Sequence, residues 1–168
     1  GKVVHGIEKA EATGAQVLGL TALGRATHRP VPSRSGAQAG DTVWITGPVG
    51  AAMLGFEALR DGTGADSLAF RRPRALLAEG EALAPAVTAM MDISDGLLLD
   101  ANRMARASGI SFAIDSTAVP IAVPEHRRAE ALRWGEDYQL LFTLPAEAEP
   151  PIPAFRVGQA IPSAAAPI

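Results

Sequence analysis

Two carboxylates separated by a short turn are the residues of this sequence best suited to chemistry. Asp92, Ser94 and Asp95 follow an alternating apolar stretch and precede a stretch of helical periodicity, so they fall where a predicted strand ends and a predicted helix begins. The first N–H groups of a helix are unpaired and its dipole is positive there, which favours a phosphate. Two carboxylates on one turn repel each other unless a cation lies beside them, and Mg²⁺ binds carboxylate and phosphate oxygens together.

Helix capping is a plainer interpretation of the same turn. Ser and Asp are preferred N-cap residues, and composition alone favours capping over metal binding. Capping accounts for one of the polar residues and leaves the second carboxylate unexplained. Both interpretations stay open at this point.

Three further places could meet a phosphate. Arg34 lies in a loop beside Ser35 and Gly36, although a lone loop arginine is usually solvated. The turn at residues 47–50 joins a predicted strand to a predicted helix, but it lacks the lysine of a P-loop, and a simple tight turn is the more common explanation. A cluster of cations follows at Arg71, Arg72 and Arg74, where a solvated basic face is the usual explanation.

A second acidic turn precedes a strand-like stretch near the C-terminal end of the sequence. It contains Glu136 and Asp137 after Gly135, and alone it is only an acidic turn. No cysteine is present, which excludes thiolate zinc sites and cysteine nucleophiles, and the three histidines are far apart. Acidic residues, helix N-termini and arginines remain, and these are the parts of phosphoryl transfer by positioning and electrostatics.

The elements that must position these residues alternate between strand and helix. Strands are predicted at residues 16–23, 42–46, 87–91, 110–114 and 138–144, and helices at residues 7–13, 51–60, 73–83, 97–107 and 125–132. Residues 25–40 predict a loop, and the tail from Ala146 has little to offer a core except Phe155 and Val157. The pattern indicates an α/β or α+β class.

Composition limits the function classes. The 168 residues are 48% apolar and 20% charged, as in a soluble globular protein, and the net charge of −3 argues weakly against nucleic acid as a partner. No apolar run reaches the ~20 residues of a membrane span, and the first residues lack the apolar region of a signal peptide. We therefore expect no membrane partner and a cytoplasmic location.

Four segments, in the right order, resemble the thiamine-monophosphate kinases, members of the aminoimidazole ribonucleotide synthetase-like superfamily. They are residues 90–97 with Asp100 one turn later, residues 135–140, residues 34–47 with their Arg-Ser-Gly-Ala and Gly-Asp elements, and the Arg-Pro-Arg element at residues 72–74. The likeness covers about residues 7–158, and its two acidic motifs are jointly quite specific.

The resemblance implies an α+β fold, the layered α/β/α C-terminal domain of that superfamily, in a homodimer. It also implies a Mg²⁺-assisted, in-line transfer of the γ-phosphoryl group of ATP to thiamine monophosphate, giving thiamine diphosphate. Carried over position by position, Asp92 and Asp95 match magnesium ligands. Ser94 and Arg34 match ATP contacts, and Glu136 matches a contact to thiamine phosphate.

The sequence also departs from the family pattern. We expect residues 1–28 to be a remnant of the N-terminal dimerisation and metal-binding domain, and residues 29–168 to be the C-terminal ATP-binding domain. After Gly19 roughly a dozen residues of the family pattern are missing, judged by usual loop and strand lengths, and Trp134 stands at a family glycine. We therefore expect the natural chain to be longer and complete.

Two alternatives to the kinase follow from these departures. One is a binding module that keeps a nucleotide pocket but cannot catalyse, because the acidic residues of the N-terminal domain are absent. The other is a superfamily relative that uses ATP on another small substrate.

Overall fold

Antiparallel strands form both sheets of the protein. The computed structural model describes residues 4–10 and 17–163. Its strands are β1 (Val4–Ala10), β2 (Val17–Leu23), β3 (Thr42–Ile45), β4 (Ala89–Asp92), β5 (Ser111–Ile114), β6 (Leu140–Leu144) and β7 (Phe155–Ile161). Strands β1 and β2 pair as a separate two-stranded sheet, and the other five form one sheet in the order β4-β6-β3-β7-β5.

Within the described residues, five helices accompany the main sheet. They are α1 (Ala51–Arg60), α2 (Leu68–Arg71), α3 (Leu77–Leu83), α4 (Leu97–Ser108) and α5 (Arg128–Ala131), the last preceded by a 3-10 turn at Glu125–Arg127. Helix α4 ends at Gly109, whose left-handed conformation allows its N–H to bond back to the last turn. No helix among the described residues combines the length and the apolar composition needed to cross a bilayer.

The main sheet is buried on both faces, because side chains alternate along each strand. On one face Val43 and Ile45 of β3 pack with helix α4, whose fully buried Leu97 and Met104 belong to the same core. On the other face Trp44 packs with Leu83 of α3 and with β6. The protein is therefore an α+β domain with helices on both faces of its sheet, and the predicted α/β/α layering is confirmed.

Two predicted elements are wrong. The helix expected at residues 7–13 is a strand as far as Ala10, because β1 pairs along its whole length with β2, a partner that the local pattern does not reveal. The remainder of that prediction, at residues 11–14, lies outside the described residues. The helix expected from Pro73 begins instead at Leu77 and leaves residues 72–76 irregular.

The prediction for the tail is confirmed for Val157 and wrong for Phe155, and it misses Ala160 as a core residue. Strand β7 lies between β3 and β5 in the sheet, where Val157 is fully buried and Ala160 almost so. Phe155, expected in the core, is 45% exposed at the start of the strand. The two-stranded sheet lies within the predicted N-terminal remnant and the main sheet within the predicted C-terminal domain, and the boundary at residue 28 stays a prediction.

Candidate active site

The turn between β4 and α4 is held by a carboxylate from the helix that follows it. Asp100 is fully buried, and its Oδ2 accepts the N–H of Ser94 at 3.0 Å and that of Asp95 at 2.9 Å. The N-cap residue of α4 is Gly96, and no side chain caps the helix. The capping interpretation of Ser94 and Asp95 is therefore wrong: the turn is held from inside, and its own side chains do not hold it.

A guanidinium group lies beside the two carboxylates of this turn and helix. Arg103 donates to Oδ1 of Asp100 at 2.8 Å and forms an ion pair with Asp95. The hydrogen bond to Asp95, followed by that to Asp100, raises the pKa of Arg103. The counter-charge that the sequence predicts near Asp95 is thus supplied in part by the protein itself. Asp92, which is exposed at the end of β4, has no ion-pair partner within residues 4–10 and 17–163.

The second acidic motif joins the first through main-chain groups. The N–H of Glu136 donates to the carbonyl of Ser94 and the N–H of Tyr138 to that of Ile93, both at 2.9 Å. Gly135 approaches so closely that a Cβ there would overlap the Ser94 carbonyl oxygen. The structure therefore brings together two motifs that are about forty residues apart in the sequence.

Glu136 and Tyr138 have a backbone conformation that is uncommon for residues other than glycine. Their φ angles are 67° and 50°, and such conformations cluster at functional sites. The Tyr138 hydroxyl donates to Oε2 of Glu136 at 3.0 Å. This bond is the main cause that raises the pKa of Tyr138, followed by burial and by the charges of Glu136, Asp92 and Asp95. The pKa of this hydroxyl is thus raised by the charges of all three predicted acidic site residues.

Asp137, between these two residues, serves a different purpose. Its carboxylate is buried and accepts the N–H of Gly50 at 2.6 Å and that of Ala52 at 3.0 Å, at the start of α1. Burial raises the pKa of Asp137, and the backbone N–H groups of Ala52, Gly50 and Ala51 oppose the rise. Asp137 is therefore the cap of α1, supplied from a distant part of the chain.

Two adjoining cavities open beside the joined motifs. The larger has a volume of about 580 Å³ and is lined by Thr46, Gly47 and Gln139, among others. The smaller, of about 270 Å³, is lined by Asp92 and Tyr138, among others. Both share Arg74 and Leu76 as wall residues, so they form one groove. The walls of this groove include residues from all four segments that carry the family resemblance.

The donor set fits magnesium held largely by a bound phosphate. Asp92 and Asp95 present carboxylate oxygens, and the Ser94 hydroxyl makes no hydrogen bond within the part of the chain that the structure describes. No group of three or more acidic or histidine side chains among the described residues is arranged to hold an ion. Mg²⁺ needs only one or two protein carboxylates when phosphate oxygens and waters complete its shell.

Main-chain groups at the start of α4 are already engaged. The N–H groups of Ser94 and Asp95 bond to Asp100, and the N–H of Leu98 bonds to the Leu132 carbonyl at 3.2 Å. The start of α4 and the turn before it therefore have fewer free main-chain donors for a phosphate than the sequence indicates.

Arg34 lies beside the edge of strand β4. Its neighbour Ser33 accepts the N–H of Met90 at 2.8 Å, two residues before Asp92, and its own carbonyl accepts the hydroxyl of Ser108 at 3.4 Å. The other four predicted residues, Asp92, Ser94, Asp95 and Glu136, lie together at the end of β4 and the start of α4.

Comparison with known proteins agrees with the fold and with the motifs. The family described as AIR synthase related protein, C-terminal domain, matches residues 38–155, more than half of the chain. The chain belongs to this family. The chain is 35% identical over 144 residues to the thiamine-monophosphate kinase of Escherichia coli K12. This alignment covers 77% of the chain and 43% of that relative. The corresponding enzyme of Halobacterium salinarum is 39% identical over 138 residues, which cover 77% and 46%.

A solved AIR synthase related structure supports the same placement. It is described as AaThiL complexed with AMPPCP and TMP, is 33% identical with a TM-score of 0.68, and covers 79% of this chain and 48% of that one. The predicted resemblance to thiamine-monophosphate kinases is thus confirmed. The chain spans about half the length of the curated relatives it matches.

Sequence reasoning missed Asp100 and Asp137 as structural carboxylates of the site. Asp100 was noted only as part of the first motif, and Asp137 only as part of an acidic turn. Both are buried. A carboxylate after three leucines is the signal that could have identified Asp100, whereas Asp137, in an acidic turn, carries no such signal.

Proposed function

We propose that this chain is the C-terminal, nucleotide-binding part of a thiamine-monophosphate kinase. The reaction is in-line transfer of the γ-phosphoryl group of ATP to the phosphate of thiamine monophosphate: a new P–O bond forms to that phosphate, and the bond to the β-phosphate oxygen breaks, releasing ADP. The observation that supports the proposal is the main-chain joint that brings Glu136 to the turn of Ser94 and Asp95, next to the groove that Asp92 and Tyr138 line.

The relatives support the choice of substrates. The curated relatives are thiamine-monophosphate kinases. The AaThiL structure is a complex with the ATP analogue AMPPCP and with TMP. In this proposal Asp92 and Asp95 hold the metal, Ser94 donates its hydroxyl to a phosphate oxygen, and Glu136 contacts thiamine phosphate. Arg34 contacts ATP in the same proposal, and its neighbour Ser33 bonds to Met90 of β4, two residues before Asp92. Assembly as a homodimer belongs to the proposal as well.

Magnesium at Asp92 and Asp95 would supply positive charge that offsets the charge of the transferring phosphoryl group. The protein's own groups orient the side chains of the site. Tyr138 donates to Glu136 and so restrains the orientation of that carboxylate. Asp100 and Arg103 fix the turn, and Asp92 stays exposed to the groove with no ion-pair partner among the described residues.

The test is a coupled assay of ADP release with thiamine monophosphate and Mg²⁺, comparing wild type with Asp92→Asn. The variant should lose turnover by orders of magnitude with little change in stability, because it removes charge from an exposed metal ligand and no packing. Asp66→Asn, at an exposed carboxylate remote from the groove, is the matched control and should keep turnover. Near-normal turnover of Asp92→Asn would contradict the proposal.

A non-catalytic nucleotide-binding module is the second candidate. It is favoured by the ion pair between Arg103 and Asp95, which already gives one of the two predicted metal ligands a counter-charge. Binding of AMPPCP to the purified chain without any ADP release from ATP and thiamine monophosphate would establish it over the kinase.

A further inference from the structure

Arg74 lies where the two halves of the groove meet. It lines the larger cavity together with Thr46 and Gln139, and the smaller cavity together with Asp92 and Tyr138. A ligand that extends from one cavity into the other must therefore pass this side chain. The irregular stretch at residues 72–76, which replaces the predicted start of α3, is what places Arg74 on the wall of the groove.

More carboxylates than cations line the groove among the described residues. Among the described residues that line the two cavities, Asp92 and Glu79 are carboxylates and Arg74 is the one cation. The Arg74 side chain is 75% exposed, and one of its nitrogens is paired with Glu79. Because a guanidinium has five N–H donors in a planar fork, the pair with Glu79 leaves donors free for a second acceptor. The fork matches two oxygens of one phosphate.

We propose that Arg74 binds a phosphate group of a phosphorylated substrate in this groove, with Asp92 on the wall of the same cavity. The inference rests on the proposed function, because it takes the groove as the substrate site. It adds Arg74, as a residue that binds phosphate directly, to the site residues assigned above. The phosphate is either part of the triphosphate of ATP or the monoester of the acceptor. The ion pair with Glu79 positions the guanidinium group of Arg74.

Calorimetric titration of the purified chain with tripolyphosphate and Mg²⁺ tests the binding itself. Arg74→Ala should weaken the affinity about 10- to 100-fold, the range expected for loss of charge-assisted hydrogen bonds, and Arg74→Lys should lie between wild type and Arg74→Ala. Arg72→Ala is the matched control, because Arg72 is exposed, lines neither cavity and carries the same charge. It should bind like wild type.

Three results would overturn the inference: equal affinities of Arg74→Ala and wild type, an equal loss in Arg72→Ala, or no binding of tripolyphosphate by wild type. The second of these would mean that a diffuse basic surface attracts the anion. Because Arg74 is exposed, all variants should unfold at the same temperature as wild type, which a thermal melt checks.

Kinetics then distinguish the two sources of phosphate. If Arg74 contacts the triphosphate, Arg74→Ala raises the KM for ATP, and if it contacts the acceptor, the KM for thiamine monophosphate rises instead. Unchanged kcat and KM values for both substrates would overturn the inference. If wild type does not turn over thiamine monophosphate at all, the proposed function fails, and the tripolyphosphate titration still decides the role of Arg74.

Discussion

Asp100 shows at the residue scale how a buried carboxylate supports an exposed one. Its Oδ2 takes two N–H groups of the turn, and its Oδ1 takes Arg103 at 2.8 Å. All of these are charge-assisted bonds in a buried environment, where they are stronger than on the surface. Asp92 and Asp95 can then stay exposed on a turn whose shape does not depend on them, with Asp92 on the wall of the groove.

Replacement of Asp100 by Asn should therefore destabilise the protein more than its small change in shape indicates. We expect a loss of about 1–3 kcal/mol in the free energy of unfolding, because neutral hydrogen bonds replace charged ones and the amide presents N–H groups to existing donors. Urea unfolding measures it. Asp66→Asn is the control, since the exposed Asp66 accepts a single N–H from Leu68 at 2.9 Å. Equal stability of the two variants would contradict the assigned role.

The individual residues differ in how far the sequence predicted them. Asp92 and Asp95 could be selected because two acids on one turn need a cation. The environment of Asp95 could not be predicted, because Arg103 lies eight residues further along and faces it only once α4 has formed. In the sequence, Asp137 is one acid of an adjacent pair. In the structure, Glu136 has a positive φ, and its carboxylate accepts the Tyr138 hydroxyl, whereas that of Asp137 caps α1.

At the scale of elements, helix α1 depends on a residue from the other end of the domain. Gly50, at its N-cap position, has no capping side chain of its own, and Asp137 supplies the acceptor just before β6. The start of α1 and the second acidic motif are therefore one structural unit. A disturbance of the cap is expected to reach Glu136 and Tyr138 on either side of Asp137.

Asp137→Ala should cost about 1–3 kcal/mol of stability, because it removes the cap and leaves buried N–H groups without an acceptor. Urea unfolding gives the total, and hydrogen exchange should show faster exchange of the amides of Gly50 and Ala52. Glu149→Ala, at an exposed carboxylate, is the control and should change stability by less than about 0.5 kcal/mol. Unchanged exchange at Gly50 would rule out the capping role.

At the scale of the whole molecule, the chain folds back on itself to complete the sheet. Strand β7, from the proline-rich tail, pairs with both β3 and β5, and without it the sheet would lose the link between them. Val157 of this strand is fully buried, whereas its neighbour Arg156 is exposed. The last described strand is therefore as central as the first strands of the sheet.

Val157→Asp should lower the free energy of unfolding by more than about 3 kcal/mol, because an unpaired charge enters the core. Phe155→Asp, two residues earlier, should cost about 1 kcal/mol or less because that side chain is 45% exposed. Thermal unfolding followed by circular dichroism compares the two. If both variants unfold alike, β7 does not contribute to the core as described.

The sequence predicted elements with local signals and failed where pairing is remote. Helix α4 and strand β3 were located from periodicity and β-branched residues, and both are observed. Strands β1 and β7 carry few local signals, and what makes them strands is their partners β2, β3 and β5. The meeting of residues 92–96 with residues 135–138 followed only from the resemblance, since no local pattern relates them.

The joint between the two acidic motifs has a consequence for how this fold can change its chemistry. It is made of peptide N–H and carbonyl groups and of one glycine that admits close approach. Peptide groups are the same whatever side chain a residue carries, so positions 92, 94, 95 and 136 can be exchanged while the scaffold keeps its shape. Under the proposed function, redesign for a new acceptor would begin at those four positions and leave Gly135 untouched.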